Sequence, residues 1–411
     1  MRKRLPPPPH FVRHLPRKGG GFGDAIFGCS EKRLPPCGGA VSRRLTEGVK
    51  TVFLCALLLS LTACAPRYEE MSTTIFAMDT VMDLKLYHAV PAGAVEGMFN
   101  GGVESIYDYE GLFSATVEGS DIHNINVNGG EITPVSQATA DVLRQAIALS
   151  ERTGGALDIT AYPAVKAWGF TTGENRVPGQ EELDELAAHI DYSAVELLGA
   201  YSALPEGMTE ENMQGLVDYE RFLDTGELVR IPEGMELDLG AVAKGYVGDR
   251  LAEEMKGYPA LLDLGQSTIV AIGAKPNGDP WRIGIQDPDS SDYLAVLELK
   301  DQAMGSSGNY QRWFEENGVR YGHIIDPDTA APAKSGLSSV TVVADSALLC
   351  DGLSTALFVM GPEAAADHWR QYRDFEAILI EDSGKITITA GLKECFSLTD
   401  AYKDREVTVL E

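Results

Sequence analysis

The stretch ALLDLGQSTIVAIG, residues 260–273, holds two short apolar runs on either side of a Gly-Gln-Ser segment. Runs of this length that are rich in Ile, Leu and Val and bounded by glycine predict buried strands. Similar runs follow along the chain: WRIGIQ (281–286), YLAVLEL (293–299) and SSVTVVAD (338–345). Short strands are therefore predicted to dominate the chain from about residue 259 onward.

Helical patterns lie on both sides of these strands. An alternating strand pattern at 80–87 is followed by a predicted helix that ends near Tyr109. A second helix is predicted from the N-cap Ser136 to Gly154, and a third over 346–361 with a glycine as its stop. Strands before and after grouped helices favour an α+β fold with mainly antiparallel sheets.

Residues 173–235 are polar, acidic and rich in Gly and Pro, and are predicted to form an excursion from the core. A short helix is expected near Glu181–Ala188. The segment 199–220 reads as an acidic insertion and is predicted to be a surface loop.

The net charge of the 411-residue chain is −27. The first 64 residues hold 11 Lys and Arg against 3 Asp and Glu, which leaves 23 against 58 in the rest. A surface this acidic repels nucleic acid and anionic lipid. We therefore expect no nucleic-acid partner.

The stretch VKTVFLCALLLSLTAC, residues 49–64, has the features of an export signal. Its apolar run, 51–61, is too short for a permanent membrane span. The ending resembles a bacterial lipobox, in which the cysteine, here Cys64, is lipidated and becomes the new N-terminus; the alternative is a buried core helix. We expect a protein that is lipid-anchored at the extracytoplasmic face of a bacterial cell membrane, and we interpret residues 1–48 as sequence upstream of a true start near Val49.

The cysteines give little indication of a metal site. The sequence contains no CxxC, HExxH or His-rich cluster, so a zinc or iron site is not expected. After processing at Cys64, only Cys350 and Cys395 would remain in the mature domain. These two could form a disulfide, but nothing in their spacing requires one.

The helix predicted over 346–361 carries an acidic side chain among apolar ones. Asp351 and Thr355 are four residues apart, so both project from one face. Their oxygens are hard ligands of the kind that suits Mg²⁺. The alternative is a hydrogen-bonded polar pair that packs against a neighbouring loop.

Two further segments could bind an anion. In LDLGAVAKGYVGD, 237–249, a strand is predicted to close at Asp238 and Gly240 and a helix to open at Ala241, with Lys244 in its first turn. Helix starts present free N–H groups to anions, although an ordinary strand-to-helix turn fits equally well. In GSSGNY, 305–310, a small-residue turn could wrap a phosphate with backbone N–H groups.

Aromatic residues and a histidine complete the candidates. The segment GGALDITAYPAVKAWGF, 154–170, contains Tyr162, Trp168 and Phe170, which could sandwich a planar ring but more often form core. In HIIDPDTAAP, 323–332, His323 with Asp326 could be a base and its neighbour, or a structural pair.

Together and in this order, these motifs resemble the ApbE family, the FAD:protein FMN transferases. The matching segments are AMDT (77–80), SDIHNIN (120–126), GGALDITAYPAVKAWGF (154–170), LDLGAVAKGYVGD (237–249), LLDLG (261–265), WRIGIQDP (281–288), GSSGNY (305–310), HIIDPDTAAP (323–332) and CDGLSTALFVMG (350–361). The resemblance implies a catalytic domain at 73–400, between a linker at 65–72 and a tail at 401–411.

The resemblance also implies a reaction, in which FAD is cleaved with Mg²⁺ and its FMN half moves to a Thr or Ser hydroxyl of an acceptor protein while AMP leaves. By matching position, Mg²⁺ would be held by Asp351, Thr355 and the backbone oxygen of Ala241. His323 would be the base, with a pKa near ~6.5 if unperturbed, and Asp238 a second catalytic residue. The FAD site would consist of Met78, Ala156, Leu157, Asp158, Asp238, Lys244, Ser307, Gly308, His323 and Ile325.

The implied acceptor is a subunit of a membrane redox complex or an extracellular electron-transfer flavoprotein. Two other functions use the same flavin pocket. A pyrophosphatase would release free FMN and AMP, and a lipid-anchored flavin-binding protein would need the pocket without the set Asp351, Thr355 and His323. The joint presence of all three argues against the binding protein, whereas the pyrophosphatase differs from the transferase only in its product. The transferase is the function that the resemblance implies.

Three positions depart from the family pattern. Gly265-Gln266-Ser267 stands where Gly-Gly-Asn is usual, and Asp79 and Ala330 stand where Gly is usual. A turn with alanine at such a position must avoid positive φ or carry strain.

Overall fold

The computed structural model describes residues 67–200 and 227–411. Seven α-helices lie within these two ranges: α1 (Glu96–Phe113), α2 (Asp121–Val127), α3 (Gln137–Arg152), α4 (Tyr162–Ala167), α5 (Gln180–Ala187), α6 (Ala243–Glu254) and α7 (Ala347–Tyr372). Nineteen strands lie in the same part of the chain: β1 (Glu69–Ala77), β2 (Thr80–His88), β3 (Thr133–Val135), β4 (Glu196–Ala200), β5 (Glu227–Arg230), β6 (Ala260–Asp263), β7 (Thr268–Ile272), β8 (Trp281–Gln286), β9 (Tyr293–Leu299), β10 (Gln302–Gly308), β11 (Trp313–Glu316), β12 (Val319–Gly322), β13 (Ile325–Asp326), β14 (Ala331–Pro332), β15 (Leu337–Ala344), β16 (Glu376–Glu381), β17 (Ile386–Thr389), β18 (Phe396–Leu398) and β19 (Val407–Leu410).

The central element is a nine-stranded sheet in the order β1-β2-β6-β7-β10-β15-β16-β17-β19. Neighbouring strands in it are antiparallel except for the parallel pair β17 and β19. A three-stranded sheet, β18-β9-β8, packs on one face of it through a shared apolar cluster. The prediction of an α+β fold with mainly antiparallel sheets is confirmed.

Strand β2 has the alternation that a half-buried strand requires. Met82, Leu84 and Leu86 are fully buried, whereas the residues between them are exposed or half-buried. Its pairing with β6 aligns Asp83 with Asp263, so the sheet joins distant parts of the chain. The helices α1 to α6 and the sheet β3-β5-β4 belong to the segment between these two strands.

Two hairpins in the fold use two-residue loops with positive φ at both positions. Met78 and Asp79 connect β1 to β2 with φ values of 49° and 58°, and Asn317 and Gly318 connect β11 to β12 with 53° and 77°. These are the backbone values of a type I′ turn, which favours Asn-Gly. The first loop therefore holds an unfavourable backbone conformation next to β2.

Helix α7 packs against the middle of the sheet at β10 and β15. Ser346 caps it by accepting a hydrogen bond from the Leu349 amide, and Gly361, with φ of 81°, interrupts it where the sequence predicted its stop. A second helical segment begins at Pro362 and continues to Tyr372.

The interpretation of 173–235 as an excursion from the core is only partly correct. The short helix is present as α5, but β4 and β5 pair with each other and with β3. Val195, Val229 and Ile231 lie in the main apolar core. The predicted acidic insertion, 199–220, lies outside the described residues from residue 201 onward, and so does Cys64.

The predicted domain boundaries also change at both ends. Strand β1 begins at Glu69, inside the segment expected to be a linker, and β19 lies in the segment expected to be a tail. Both strands belong to the central sheet. In the described ranges, Cys350 is buried and Cys395 half-buried, both as free thiols, and no helix is long and apolar enough to cross a membrane.

Candidate active site

A cavity of about 940 Å³ opens beside the central sheet. It is bounded by the β1–β2 loop, the segment after α3, the start of α6, strand β8, the end of β10 and the segment that leads into β13. Twelve of the thirteen predicted site residues line it: Met78, Ala156, Leu157, Asp158, Asp238, Ala241, Lys244, Ser307, His323, Ile325, Asp351 and Thr355. Gly308, the thirteenth, packs beneath Tyr310, since a Cβ atom added to it would lie 2.4 Å from the Tyr310 ring.

Asp351 is a buried carboxylate on the first segment of α7. The Thr268 hydroxyl lies 2.8 Å from one of its oxygens and 2.9 Å from the other, so one proton serves both. Burial raises the pKa of Asp351 to about 6, against the opposing influence of the Lys244 charge. A nearby cation would relieve this cost of holding the carboxylate ionised.

Thr355 lies one turn further along α7 and lines the same cavity. Its hydroxyl donates to the Asp351 carbonyl at 3.3 Å and lies 3.1 Å from the Ser307 hydroxyl on β10. The predicted metal ligands Asp351, Thr355 and Ala241 all line this cavity, and a carboxylate, a hydroxyl and a peptide oxygen are donors that Mg²⁺ prefers. No cluster of three or more His, Cys, Asp or Glu suited to a metal occurs in residues 67–200 and 227–411.

The prediction of a phosphate-wrapping turn at GSSGNY is wrong for residues 305–308. They form the end of strand β10, and their backbone groups pair with β15. The small residues have another cause, because a Cβ atom at Gly305 would lie 2.5 Å from the Cys350 carbonyl carbon. Glycine therefore lets α7 approach the sheet closely enough to place Asp351 beside Thr268.

The prediction of a strand that closes at Asp238 and Gly240 is also wrong. Residues 237–239 are irregular, and the helix begins at Ala243 instead of Ala241. The Asp238 carboxylate accepts a hydrogen bond from the Gly240 amide at 3.0 Å. Burial raises the pKa of Asp238, whereas the charges of Lys244 and Arg312 oppose the rise.

His323 is half-buried between β12 and β13. Its Nδ1 lies 3.2 Å from the Arg312 carbonyl oxygen, an acceptor, so Nδ1 carries the proton and Nε2 the lone pair of the neutral ring. Burial, followed by the charges of Arg312 and Lys244, lowers the pKa of His323 to about 4. The value of about 6.5 was expected for an unperturbed ring, and the environment of His323 in the ligand-free protein does not meet that condition.

Asp326 was considered as the neighbour of a His323 base, but in the structure it stabilises a turn. Its carboxylate accepts a hydrogen bond from the Asp328 amide at 3.0 Å, and its carbonyl accepts one from the Thr329 amide. These bonds close the turn that ends at Ala330, which has a φ of 51°. The predicted strain at Ala330 is thus present, and His323 is oriented by the Arg312 carbonyl.

The aromatic residues divide between core and cavity. Trp168 is buried against the rings of Tyr321 and Phe314, and its Nε1 donates to the Ala330 carbonyl at 2.8 Å. Tyr162 and Phe170 line the cavity. Core packing, the more common outcome for such a group, is therefore confirmed for Trp168.

Asp158 stabilises the segment that follows α3. One carboxylate oxygen accepts from the amide and the hydroxyl of Thr160, at 2.8 and 2.7 Å, and the other accepts from the Tyr192 amide at 2.9 Å. Burial raises the pKa of Asp158, and these bonds oppose the rise. The carboxylate thus holds Ala156 and Leu157 at the cavity wall.

Three cavity-related residues were missed by the sequence reasoning. Thr268 orients Asp351, and Arg312 holds His323 through its carbonyl and charges the cavity wall. Glu110 accepts a hydrogen bond from the Met78 amide at 2.8 Å, across 32 residues of sequence. The contacts of Thr268 and Glu110 join distant segments, and that of Arg312 depends on the β11–β12 hairpin, so the sequence motifs did not reveal them.

Comparisons with known proteins agree with this geometry. A model of the ApbE family matches residues 78–379. The FAD:protein FMN transferase of Haemophilus influenzae is 30% identical over 336 residues, which cover 79% of this chain and 90% of that protein. The protein of the same name from Treponema pallidum is 28% identical over 82% of this chain and 91% of its own length. The crystal structure of the ApbE protein of Thermotoga maritima superposes with a TM-score of 0.67 at 28% identity, over 80% of this chain and 99% of that one.

Proposed function

The chain belongs to the ApbE family, whose curated relatives are FAD:protein FMN transferases, and we propose that it transfers the FMN half of FAD to a Thr or Ser hydroxyl of an acceptor protein. It is an enzyme of the flavin-transferase class. The observation that supports the chemistry best is that one cavity brings together His323, the cations Lys244 and Arg312, and the buried carboxylate of Asp351.

His323 acts as the base in the proposed reaction. Its Nδ1 hydrogen bond to the Arg312 carbonyl leaves Nε2 able to accept a proton, and the low pKa keeps the ring neutral at physiological pH. The acceptor oxygen forms a bond to the FMN phosphorus, its proton moves to His323, and the bond to the bridging oxygen breaks so that AMP leaves. A general base of this kind contributes roughly 10²–10⁴ in rate.

The charges in the cavity serve the pyrophosphate. Lys244 and Arg312 would stabilise the negative charge that develops as the bridging bond breaks. Bound Mg²⁺, held by Asp351, Thr355 and the Ala241 carbonyl, would neutralise phosphate charge. Thr268 positions the Asp351 carboxylate for this role.

Mass measurement of the acceptor tests the proposal. The purified protein is incubated with FAD, Mg²⁺ and the soluble domain of a redox-complex subunit, and the products are separated. Transfer adds one FMN to the acceptor and releases AMP. Free FMN in place of labelled acceptor would indicate a pyrophosphatase, and unchanged FAD would indicate a flavin-binding protein.

A further inference from the structure

Strand β8 presents an unpaired edge to the cavity. In the sheet β18-β9-β8 its neighbour among the described strands is β9, and residues 282–286 line the cavity. The backbone directions in β9 can be read from its other partner. The Glu298 amide donates to the Cys395 carbonyl, and the Leu294 carbonyl accepts from the Thr399 amide. The even-numbered residues of β9 from Leu294 to Glu298 therefore direct their backbone groups toward β18.

The register of β8 on β9 then identifies the backbone N–H and C=O groups of β8 that do not pair with β9. Glu298 lies opposite Arg282, and Val296 lies opposite Gly284. Because antiparallel strands alternate between bonded and non-bonded pairs, Arg282 and Gly284 form non-bonded pairs with β9. Their N–H and C=O groups point away from β9 at the wall of the cavity.

The edge of β8 that is not paired with β9 faces the β1–β2 side of the central sheet. The Trp281 Nε1 donates to the Gly273 carbonyl at the end of β7, and its ring lies 6.0 Å from that of Tyr87 on β2. At the opposite edge of the three-stranded sheet, β18 follows the short helix 390–392, which contacts β16 in the central sheet. The order of the strands therefore leaves β8 nearest to β2 and β1.

An exposed apolar pair lies on that side of the sheet. Val81 is on the same face of β2 as Tyr87, six residues away, and it pairs with Phe76 of β1. Phe76 is 65% exposed and Val81 54% exposed. Both flank the turn at Met78 and Asp79, which lines the cavity.

We propose that Arg282, Gly284, Phe76 and Val81, here called the acceptor rim, bind the acceptor protein as an extended segment that adds a strand to β8. This proposal rests on the proposed transferase function. The backbone of the segment would pair with Arg282 and Gly284, and an apolar side chain would cover Phe76 and Val81. Because residues 282–286 and His323 line the same cavity, a segment paired with β8 would lie in the cavity that contains the base, where one of its alternating side chains can present a hydroxyl.

Transfer kinetics with the full-length protein test the acceptor rim. The probe is the soluble redox-subunit domain that the wild type labels. Arg282→Pro removes the outward N–H of β8, a change that edge strands tolerate, and Arg282→Ala removes only the side chain. Val81→Ser removes part of the apolar pair, and Val90→Ser, two residues beyond the end of β2, is its matched control because Val90 is 42% exposed.

We expect Arg282→Pro and Val81→Ser each to raise the KM for the acceptor by about tenfold, the equivalent of one lost hydrogen bond or a similar contact. Arg282→Ala should raise it less than Arg282→Pro, and Val90→Ser should leave it unchanged. The Kd for FAD, from fluorescence quenching, should stay at the wild-type value.

Unchanged acceptor KM in Val81→Ser and in a folded Arg282→Pro would overturn the proposal. A weakened FAD Kd with normal acceptor KM would also overturn it, since the edge would then belong to the dinucleotide. If Arg282→Pro does not fold, the acceptor KM values of Val81→Ser and Phe76→Ser decide whether the proposal holds. If the wild type labels no acceptor, the proposed transferase function is wrong, and the acceptor rim with it. If the wild type and all variants label the acceptor normally, only the acceptor rim is wrong.

Discussion

At the scale of single residues, His323 has an environment that keeps it neutral. In the ligand-free protein we expect its ring signals in NMR to titrate near pH 4, below the ordinary value of about 6.5. The unfolded chain binds this proton more readily, so the contribution of His323 to stability is present above about pH 6.5 and is lost as the pH falls to about 4. A midpoint near 6.5 would contradict the assigned environment.

The same residue has a test of its catalytic role. His323→Ala should bind FAD nearly as well as wild type but transfer FMN slower by roughly 10²–10⁴-fold. His323→Gln keeps a hydrogen-bonding group without a base, so it separates catalysis from a role in holding the turn. Near-normal transfer by His323→Gln would rule out the base.

Asp351 allows a test of the metal. Calorimetry in the presence of FAD should show that Asp351→Ala no longer binds Mg²⁺ and that Thr355→Ala binds it more weakly. Thr268→Val keeps the shape of the side chain but removes the hydroxyl that orients Asp351, so its effect should be intermediate. Unchanged Mg²⁺ binding in Asp351→Ala would remove this residue from the site.

At the scale of elements, the two hairpins with type I′ loops allow opposite substitutions at equivalent loop positions. Asp79 is exposed with a φ of 58°, so Asp79→Gly relieves backbone strain and should stabilise the protein by about 0.5–1 kcal/mol. Gly318→Asp places the same residue in the equivalent position of the other hairpin and should destabilise by a similar amount. Urea denaturation measures both, and effects of the same sign would argue against strain at Asp79.

The contact between α7 and β10 predicts a larger effect. Gly305→Ala places a methyl group against the backbone at Cys350, which should cost about 1–3 kcal/mol and displace Asp351. Gly101→Ala is the matched control, because Gly101 lies in α1 with nothing near its Cβ position and should gain about 0.5–1 kcal/mol. Thermal unfolding measures the stability of both variants. Equal stability changes would contradict the close approach of α7 to β10.

At the scale of the whole molecule, we propose that residues 49–64 act as an export leader that determines where the protein resides. We propose that Cys64 is lipidated, so Cys64→Ser should release the protein from the membrane fraction or leave the leader uncleaved. Cys55→Ser, within the apolar run, is the control and should remain membrane-bound. Normal processing and anchoring of Cys64→Ser, followed by immunoblot and mass measurement, would refute lipidation.

Local sequence patterns located those parts of the molecule that depend on local physics. Strands β2 and β7 and the cap at Ser136 follow from apolar spacing and short-range hydrogen bonds. Strand β10 was misread as a turn, because Gly305 is explained by its contact with Cys350 of α7, about 45 residues later in the chain. The family motifs located the cavity wall, but Thr268 and Arg312 act through contacts that only the fold brings together.

The pairing of β2 with β6 has a consequence for biogenesis. Residue 83 must wait for residue 263, which leaves the ribosome roughly 10–40 s later at about 5–20 residues per second. During this interval Met82, Leu84 and Leu86 have no sheet partner on that side, and long loop closure slows folding further. The topology thus delays the completion of the fold until most of the chain has been made, a delay that would suit threading through a translocation channel in the export that we propose.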